Sequence, residues 1–236
     1  NDTRNMKLLI NSIYRATEGE GIHIGTPQIF VRLQGCRLYC KNCDSKNTWK
    51  FDSSSAMELE DILENISLLN VNNTIKRVSI TGGDPLDLNH LEGVLILIKV
   101  LKEKNYFINV EASGSSIVHE CFDIVDFISF DFKTPSTGVL KDVSILETLN
   151  KHYGNKIQVK SVIETKEDFY FILEAFHKLG DKVNFPWCLT PAYNSNEEFP
   201  LERFKEVIDL NEKEGSFFRV IGQQHKWIYG PNKLDV

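Results

Sequence analysis

The sequence lacks long apolar segments and any regular set of paired cysteines, and each absence excludes a class of protein. No uninterrupted apolar run approaches the roughly 20 residues that a membrane-spanning helix requires. The 5 cysteines are an odd number, and three of them share one short segment, so they do not form a disulfide framework. The polar residues 1–5 have no character of a secretion signal. These absences predict a cytoplasmic protein.

Positive charge is also in deficit. The chain has 27 Lys and Arg against 33 Asp and Glu, a formal net charge of −6. Such a balance argues against nonspecific partners of negative charge, so we expect neither nucleic acid nor membrane as a partner. The 236 residues, 42% of them hydrophobic, can bury the core of one barrel-sized domain. We expect a single domain over 1–236, with a core at about 27–193 and a C-terminal segment at about 200–236.

The most informative motif is a group of three cysteines within eight positions. Cys36, Cys40 and Cys43 are separated by three and then two residues, so one loop can direct three thiolates to a common centre. A cubane cluster with three cysteine ligands keeps one iron open to a further ligand, whereas clusters that only transfer electrons normally have four. A structural zinc site is the alternative, with Cys121, Cys188 or a histidine as fourth ligand, but such sites usually contain two closely spaced pairs. The spacing favours an iron–sulfur cluster.

Strand-like and helix-like segments alternate along most of the chain. After strands at 8–14 and 29–33, helical periodicity recurs at 56–69, 88–102, 118–124, 139–152 and 166–179. Strand patterns intervene at 76–81, 107–110, 127–130, 157–163 and 183–189, before a helix at 201–214 and an aromatic-rich strand at 217–229. This order predicts an α/β fold with parallel strands and right-handed crossovers. Six such strands form a partial (β/α)6-type barrel, with an N-terminal strand and loop and a C-terminal capping strand.

Polar residues and glycines recur where the predicted strands end. They are Cys36, Gly82, Gly83, Glu111, Ser113, Asp131, Lys133, Lys160 and Thr190. Each one alone could form a turn or lie on the surface. Their recurrence favours an active site, because the carboxyl edge of the strands is where β/α barrels place theirs.

A loop rich in glycine and glutamate lies between the first two strands. Glu18 and Glu20 would repel a phosphate, so the loop does not match a phosphate cradle. A carboxylate here can accept paired hydrogen bonds from an amidine-like or aminopyrimidine edge, although a solvated surface turn is the more common case. Arg32, in the next strand, could face the active-site mouth or the outer helices on pattern alone. His225 lies in a stretch too polar for an apolar core.

Several segments together resemble the 7-carboxy-7-deazaguanine synthases, a branch of the radical S-adenosylmethionine (SAM) superfamily. The segments are 19–21 before 30–33, the cysteine loop ending at 43–45 with Trp49 after it, 81–85, 111–114, and 224–226 with 229–230. The resemblance covers nearly the whole chain. It implies a lyase that converts 6-carboxy-5,6,7,8-tetrahydropterin to 7-carboxy-7-deazaguanine by radical ring contraction with loss of ammonia, in queuosine and other 7-deazapurine biosynthesis. The implied cofactors are a [4Fe-4S] cluster, SAM and Mg2+.

The resemblance also implies residue roles, none of them catalytic in the strict sense because the cofactor carries the radical. The implied metal ligands are Cys36, Cys40 and Cys43 for the cluster and Ser45 for magnesium. The implied contacts to the pterin are Thr17, Glu18, Gly19, Glu20, Arg32, Thr81 and His225. The implied contacts to SAM are Asn42, Cys43, Asp44, Gly83, Glu111, Ser113, Asp131, Phe132, Lys133, Thr190, Pro191, Ala192 and Tyr193.

Three positions differ from the family pattern. Asn42 stands where the superfamily usually has an aromatic residue near the adenine. Glu18 stands where this branch commonly has glutamine, and Asp84 replaces the more frequent glutamate of the Gly-Gly-acid-Pro motif.

The implied partners are the pterin, an electron donor such as flavodoxin or ferredoxin, and a second copy in a homodimer. Two other functions stay open. An activase that generates a glycyl radical on a partner enzyme shares the cysteine spacing, but it has no use for the acidic loop together with Arg32. A non-enzymatic, zinc-stabilised binding module is the second, and a colourless protein with stoichiometric zinc would identify it.

The cysteine spacing generates a direct test. Replacing Cys36, Cys40 or Cys43 by alanine should abolish cluster incorporation and turnover, because only these three share a loop. Cys121→Ala and Cys188→Ala are matched controls that should keep both, since an isolated thiol in an apolar segment is commonly inert. Iron content, absorbance near 400 nm and product formation report the result. Full activity after loss of any loop cysteine would contradict the cluster hypothesis.

Overall fold

The computed structural model describes residues 5–236, so residues 1–4 of the polar N-terminal stretch lie outside the described range. The strands are β1 (Lys7–Thr17), β2 (Pro27–Leu33), β3 (Ala56–Glu58), β4 (Arg77–Gly82), β5 (Phe107–Ala112), β6 (Phe127–Asp131), β7 (Ile157–Ile163), β8 (Trp187–Pro191) and β9 (Arg219–Val220). The helices are α1 (Leu59–Leu69), α2 (Leu88–Glu103), α3 (His119–Phe122), α4 (Ser144–Tyr153), α5 (Lys166–Leu179), α6 (Leu201–Lys213) and α7 (Gln224–Tyr229). Among these residues, no helix combines the length and apolar character needed to cross a membrane.

All strands of the described residues belong to one sheet, in the order β3-β1-β2-β4-β5-β6-β7-β8-β9. Strand β1 is antiparallel to β2 and β3, whereas every pair from β2 to β9 is parallel. Helices connect the parallel strands from β4 onward, as βα crossovers require. The end strands β3 and β9 do not pair with each other, so the sheet stays open. The predicted α/β partial barrel is therefore confirmed.

The outer face of the sheet supplies the core. Side chains alternate along each strand, and the outward positions, such as Val31, Ile80, Val110 and Val159, are fully buried apolar residues beneath the helices. Parallel strands covered on both faces are normally apolar at nearly every position. In this sheet the inward-facing positions carry polar side chains. The inner face is therefore not part of the hydrophobic core.

A ladder of hydrogen bonds crosses this polar inner face. The Ser79 hydroxyl donates to Gln28 Oε1 (2.5 Å), Asn109 Nδ2 donates to Ser79 Oγ (3.0 Å), and Ser129 Oγ donates to Asn109 Oδ1 (3.0 Å). Gln158 Nε2 then donates to Ser129 Oγ (2.9 Å). The ladder links β2, β4, β5, β6 and β7 and satisfies polar groups that would be costly to bury unpaired.

Two glycines bring the end of β4 against the cysteine loop. A Cβ at Gly82, whose φ is +123°, would lie 2.2 Å from the backbone N of Leu33, and one at Gly83 would lie 2.1 Å from Gly35 O. The backbone N–H of Gly83 donates to Leu33 O (3.1 Å). Any larger residue would force the loop away from the sheet.

The predicted C-terminal capping strand is too long. Only β9 is a strand in the predicted segment 217–229, and residues 224–229 form α7. The aromatic residues favour a strand in isolation. Tertiary contacts override that preference, because the N–H of Gln224 donates to Gly19 O (2.7 Å) and Lys226 Nζ donates to Tyr193 O (2.9 Å).

Three further boundaries shift for local reasons. Residues 56–58 form β3 rather than the first turn of a helix, because Met57 pairs with Leu8 of β1. Helix α4 starts at 144 rather than 139, where the Asp142 carboxylate accepts a hydrogen bond from the N–H of Ser144 (2.8 Å). Strand β8 runs over 187–191 instead of 183–189, with Val162 of β7 paired to Thr190.

Candidate active site

An open cleft lies at the carboxyl edge of the parallel strands, above the polar inner face. It gathers most of the predicted site residues from distant parts of the chain. The predicted residues that line it are Thr17, Glu18, Gly19, Glu20, Arg32, Cys36, Cys40, Asn42, Cys43, Asp44, Ser45, Thr81, Gly83, Glu111, Ser113, Asp131, Lys133, Thr190 and His225. The polar residues and glycines predicted at the ends of the strands therefore line one cleft.

Four predicted residues do not line this cleft. Phe132 is buried on the outer side, where its ring packs against Phe171 and Trp187 at centroid distances of 6.2 and 5.9 Å. Pro191, Ala192 and Tyr193 are likewise outside its wall. The reason for Phe132 is alternation, since it follows Asp131, whose side chain points inward.

The cysteine loop holds its three thiols at the cleft wall. Cys36 and Cys40 are 7% and 8% exposed. The N–H groups of Leu38 and Ser45 point at the sulfurs of Cys36 (3.5 Å) and Cys43 (3.4 Å). Backbone bonds from Gly35 and Cys36 to residues 48 and 49 close the loop on itself. The backbone of the loop therefore holds the three sulfur donors in fixed positions.

These donors fit a cluster better than a single metal ion. No group of three or more His, Cys, Asp or Glu within residues 5–236 surrounds one point closely enough to hold a metal ion. In a cubane cluster each cysteine binds a different iron, so its ligands need not converge as zinc ligands do. N–H groups directed at sulfur are also a feature that tunes such clusters.

A buried lysine links the acidic loop to the sheet. Lys160 Nζ donates to Glu20 Oε1 and Glu111 Oε2, both at 2.9 Å, with its side chain 9% exposed. Burial alone would lower the pKa of Lys160, but Glu111, Glu20 and Glu18 hold it well above its usual value. Gln223 Nε2 adds a bond to Glu20 Oε2 (3.1 Å). The salt bridge between Lys160 and Glu20 therefore holds the loop over the inner face. A lysine buried in this way is stable only because carboxylates lie beside it.

The Glu18 side chain is buried close to Lys160, Glu20 and Glu111. Its Oε2 accepts a hydrogen bond from Gln28 Nε2 (2.8 Å) and lies 3.7 Å from Arg77 Nη2. Burial, followed by repulsion from Glu111, raises the pKa of Glu18 to about 7. The side chain can therefore exist in both protonation states near neutral pH.

His225 is held against the acidic loop by a glycine. A Cβ at Gly19 would lie 2.0 Å from His225 Nδ1, so the ring occupies the space that a side chain at 19 would take. Burial lowers the pKa of His225 despite the nearby Glu20 and Asp44 carboxylates. A neutral imidazole at pH 7 follows, with one nitrogen able to donate and the other to accept.

Arg32 faces the cleft, which resolves its orientation. Its Nη2 donates to the Tyr14 hydroxyl (2.9 Å), and its Nη1 donates to Ser45 Oγ (3.1 Å). Ser45 Oγ in turn donates to Asp44 Oδ1 (3.0 Å), and Asp44 lies 3.6 Å from Lys226 Nζ. The Asp44 side chain is about half exposed, and the neighbouring cations Lys226 and Arg32 lower its pKa to about 2. A cation, a hydroxyl and an ionised carboxylate thus meet at one corner.

Sequence reasoning assigned no site role to several wall residues. They are Tyr14, Phe30, Leu38, Asn47, Trp49, Ala112, Thr137, Val162, Gln223, Lys226, Pro231 and residues 233–236. Gly82 and Lys160 also line the cleft, and the strand-end pattern had named both. Phe30 could have been found, because it shares a face with Arg32 two positions later. Pro231 and residues 233–236 carried no signal, and this segment reaches the wall through long-range contacts such as Ser12 Oγ donating to Asp235 Oδ1 (2.9 Å).

One protein-family model and several curated proteins match this chain. Residues 17–126 match the family described as a 4Fe-4S single cluster domain. The 7-carboxy-7-deazaguanine synthase of Buchnera aphidicola is 30% identical over 207 residues, which are 80% of this chain and 86% of the relative. The synthase of the same name from Pyrobaculum aerophilum is 32% identical over 227 residues, covering 95% and 96% of the two chains.

Solved structures agree on the fold. QueE from Escherichia coli has a TM-score of 0.69 at 24% identity, with 93% of this chain and 95% of that chain covered. SuiB from Streptococcus suis has a TM-score of 0.54 at 15% identity, and 84% of this chain is covered against 48% of that one. A radical SAM methyltransferase from Sphaerobacter thermophilus gives a TM-score of 0.54 at 14% identity, covering 86% of this chain and 67% of that one. The open parallel sheet is therefore the fold shared with these proteins.

The raised pKa of Glu18 predicts a pH-dependent stability. An acid whose pKa rises from 4.5 unfolded to about 7 folded favours the folded state most below pH 4.5, and this contribution is lost as pH rises through 7. The loss is at most about 3 kcal/mol. Anaerobic thermal unfolding at pH 5 and pH 8 should show that Glu18→Gln raises Tm, relative to the parent, more at pH 8.

Glu60→Gln is the matched control, because Glu60 is exposed on α1 and should shift Tm equally at both pH values. An equal effect of Glu18→Gln at pH 5 and pH 8 would show that Glu18 ionises as an ordinary carboxylate.

Proposed function

The chain belongs to the 7-carboxy-7-deazaguanine synthase family, and we propose that it converts 6-carboxy-5,6,7,8-tetrahydropterin to 7-carboxy-7-deazaguanine with loss of ammonia. This is a radical SAM lyase reaction of queuosine and 7-deazapurine biosynthesis. One feature of the cleft supports this proposed reaction. A single cleft joins the three loop cysteines to the acidic loop and to Arg32, the combination that an activase does not need.

The loop cysteines would hold the [4Fe-4S] cluster, and the strand ends would hold SAM. When bound, the cluster and SAM supply the one-electron radical chemistry that the protein lacks. The cleft side chains assigned to SAM are Asn42, Asp44, Glu111, Ser113, Asp131, Lys133 and Thr190, with the backbone at Gly83 and Cys43. Phe132, Pro191, Ala192 and Tyr193 would contribute backbone groups alone or nothing, because their side chains lie outside the cleft.

Arg32 would bind the carboxylate of the pterin. Two of its five N–H groups are engaged by Tyr14 and Ser45, so three stay available for a bidentate contact. The contacts of Arg32 also fix the plane of the guanidinium before substrate arrives. Such preorganisation reduces the entropy lost on binding.

The acidic loop would recognise the pterin ring. Thr17, Gly19 and Glu20 line the cleft together with Thr81 from the end of β4 and His225 from α7. Glu18, where the family commonly has glutamine, has a pKa of about 7 and so can present an O–H donor beside an acceptor oxygen. In that protonated state it offers the donor–acceptor pair that a glutamine amide offers. The departure from the family pattern is therefore chemically conservative near neutral pH.

We further propose that Ser45 and Asp44 contact a magnesium ion. Both are oxygen donors at the same corner as Arg32, with their side-chain oxygens 3.0 Å apart and Asp44 ionised. A small hard cation that keeps most of its waters needs only one or two such protein ligands. An ion here would orient substrate oxygens next to the guanidinium.

The remaining assignments are also proposals. We propose a cytoplasmic location, a homodimer, and an electron donor such as flavodoxin or ferredoxin. Residues 1–236 would act as one radical SAM domain, a proposal supported by the cleft itself, whose wall combines the core at 27–193 with residues 223–236. The direct test of the function is an anaerobic assay for 7-carboxy-7-deazaguanine with and without SAM. Product that forms without SAM, or no product with it, would contradict the assignment.

The role of Arg32 predicts uncoupling. Arg32→Lys and Arg32→Ala should keep the cluster and still cleave SAM slowly, yet lose most ring contraction, since a charge-assisted contact of this kind contributes about 2 to 4 kcal/mol. Product and 5′-deoxyadenosine are measured together. Arg219→Ala is the control, because Arg219 is an exposed arginine outside the cleft and should leave both unchanged. Product at the parent rate from Arg32→Ala would assign Arg32 a structural role.

The magnesium proposal predicts a specific loss in Ser45→Ala. The parent should be stimulated by Mg2+, and the variant should show a weaker stimulation because one oxygen ligand is gone. Ser54→Ala is the matched control, since Ser54 is an exposed serine in a nearby turn and outside the cleft. Unchanged rate and unchanged magnesium dependence in Ser45→Ala would refute the metal contact.

A further inference from the structure

Arg77 is a buried arginine on the inner face of the sheet, at the start of β4. It is 5% exposed and does not line the cleft. Its guanidinium carbon lies 5.5 Å from the ring centroid of Phe107 and 6.0 Å from that of Phe127. Its Nη2 is the one buried side-chain nitrogen or oxygen without a hydrogen-bond partner within residues 5–236. A buried cation with an unsatisfied N–H group is costly, so its presence calls for an explanation.

The guanidinium of Arg77 fixes the orientation of a neighbouring amide. Arg77 Nε donates to Gln28 Oε1 (2.9 Å), and Ser79 Oγ donates to the same oxygen (2.5 Å). Arginine has five N–H donors and no acceptor, so the Gln28 atom that it meets must be the carbonyl oxygen. The amide nitrogen of Gln28 is therefore directed the other way, and Nε2 donates to Glu18 Oε2 (2.8 Å).

The same reasoning determines which oxygen of Glu18 carries a proton. Glu18 Oε2 accepts from Gln28 and lies 3.7 Å from Arg77 Nη2, which is beyond hydrogen-bond distance. An oxygen that faces two donors acts as an acceptor, so a protonated Glu18 carries its proton on Oε1. Within the described residues Oε1 accepts only the N–H of Glu20, at a long 3.4 Å. Because Glu18 lines the cleft, Oε1 is the oxygen left to meet a ligand there.

The charges around Glu18 favour its protonated form near neutral pH. Glu20 comes from the same loop, Glu111 from β5 and Lys160 from β7, while Arg77 lies below on β4. Burial, followed by repulsion from Glu111, raises the pKa of Glu18 to about 7. Lys160 opposes this effect but is shared between the other two carboxylates.

Two histidines complete the surroundings of the acidic loop. His225 packs against Gly19, and His23 Nδ1 lies 2.6 Å from Arg77 Nη1. Burial lowers the pKa of both histidines, so both are neutral at pH 7. Glu18 is therefore the group in these surroundings that changes charge as pH rises through 7.

We propose that Arg77 is a positioning residue that acts through Gln28 to make Glu18 a hydrogen-bond donor to the pterin ring. The proposal rests on the proposed function and deepens it, because it requires the ring atom that meets Glu18 to be an acceptor, either a ring nitrogen lone pair or the carbonyl oxygen. A glutamine at position 18 would be held in the same way, with its oxygen toward Gln28 and its NH2 group toward the cleft. When Glu18 ionises, Oε1 loses its proton and Arg77 attracts the carboxylate, so the donor is lost.

Affinity for the substrate is the first measurement. Cluster-loaded protein is titrated anaerobically with 6-carboxy-5,6,7,8-tetrahydropterin in the presence of SAM and without a reductant, so that no turnover occurs. The Kd of the parent should stay nearly constant from pH 6 to 6.5 and rise about tenfold per pH unit above pH 7, because the donor form of Glu18 is depleted. Glu18→Gln should bind like the parent at pH 6 and show no such rise up to pH 8.5.

Replacements of Arg77 test the connection itself. Arg77→Met should raise Kd about tenfold at pH 6, because either end of the Gln28 amide can then face Glu18. Arg77→Lys should restore most of the affinity, since lysine is also a donor without an acceptor. In a Glu18→Met background, Arg77→Met should have no further effect on Kd. Arg219→Met is the matched control, because Arg219 is exposed and outside the cleft and should match the parent at every pH.

The outcomes separate this inference from the proposed function. If Arg77→Met does not fold, Gln28→Met removes the same connection and should show the same loss at pH 6. An equal loss from Arg77→Met in the parent and in the Glu18→Met background would assign Arg77 a purely structural role and overturn the inference. Affinity that increases as pH rises through 7 would also overturn it, because ionised Glu18 would then be the binding form. A parent that does not bind the pterin at any pH would refute the proposed function, and the inference with it.

Discussion

The active-site side of this protein depends on one buried lysine whose two salt bridges connect a loop to the sheet. Lys160 extends from β7 to Glu20 in the loop after β1 and to Glu111 at the end of β5. Removing one member of such a buried group strands the others without a partner, at a cost of about 3–5 kcal/mol. This contact acts together with the bond from Gln28 to Glu18 and the bond from the N–H of Gln224 to Gly19 O to fix the loop in place. The polar ladder beneath it makes the inner face a support for a binding site rather than a core.

The cysteine loop has two sides with different chemistry. Toward the cleft it presents the sulfurs of Cys36, Cys40 and Cys43, and toward solvent it presents cations and Tyr39. The loop can serve both purposes because Gly82 and Gly83 let it rest directly on the sheet, and because its own backbone bonds hold its shape. Residues of one short segment therefore form both part of the cleft wall and part of the outer surface.

The carboxylates of the site differ in protonation because their surroundings differ. Glu18 is buried beside Glu111 and has a pKa of about 7, whereas Asp44 lies between Lys226 and Arg32 and has a pKa of about 2. The first can supply a hydrogen-bond donor to a ring edge, and the second stays anionic for a cation. Burial and neighbouring charge decide the role of chemically similar groups.

Local pattern was sufficient for the order of strands and helices from β4 to α6 and for the cysteine motif, and the resemblance of several motifs to known proteins indicated the family. Strand β7 and helix α5 have the bounds that periodicity predicts, because their patterns are long and regular. Which face of a strand is the inner one cannot be read locally, so Arg32 had two possible orientations, and the burial of the Phe132 side chain away from the cleft could not be foreseen. The bond from Gln223 to Glu20 spans 203 residues, and the contact of Asp235 with Ser12 spans 223. Only the tertiary structure could bring those residues together, because no periodicity encodes a contact between segments so far apart. Other tertiary contacts, from Gln224 to Gly19 and from Lys226 to Tyr193, turned a predicted strand into α7.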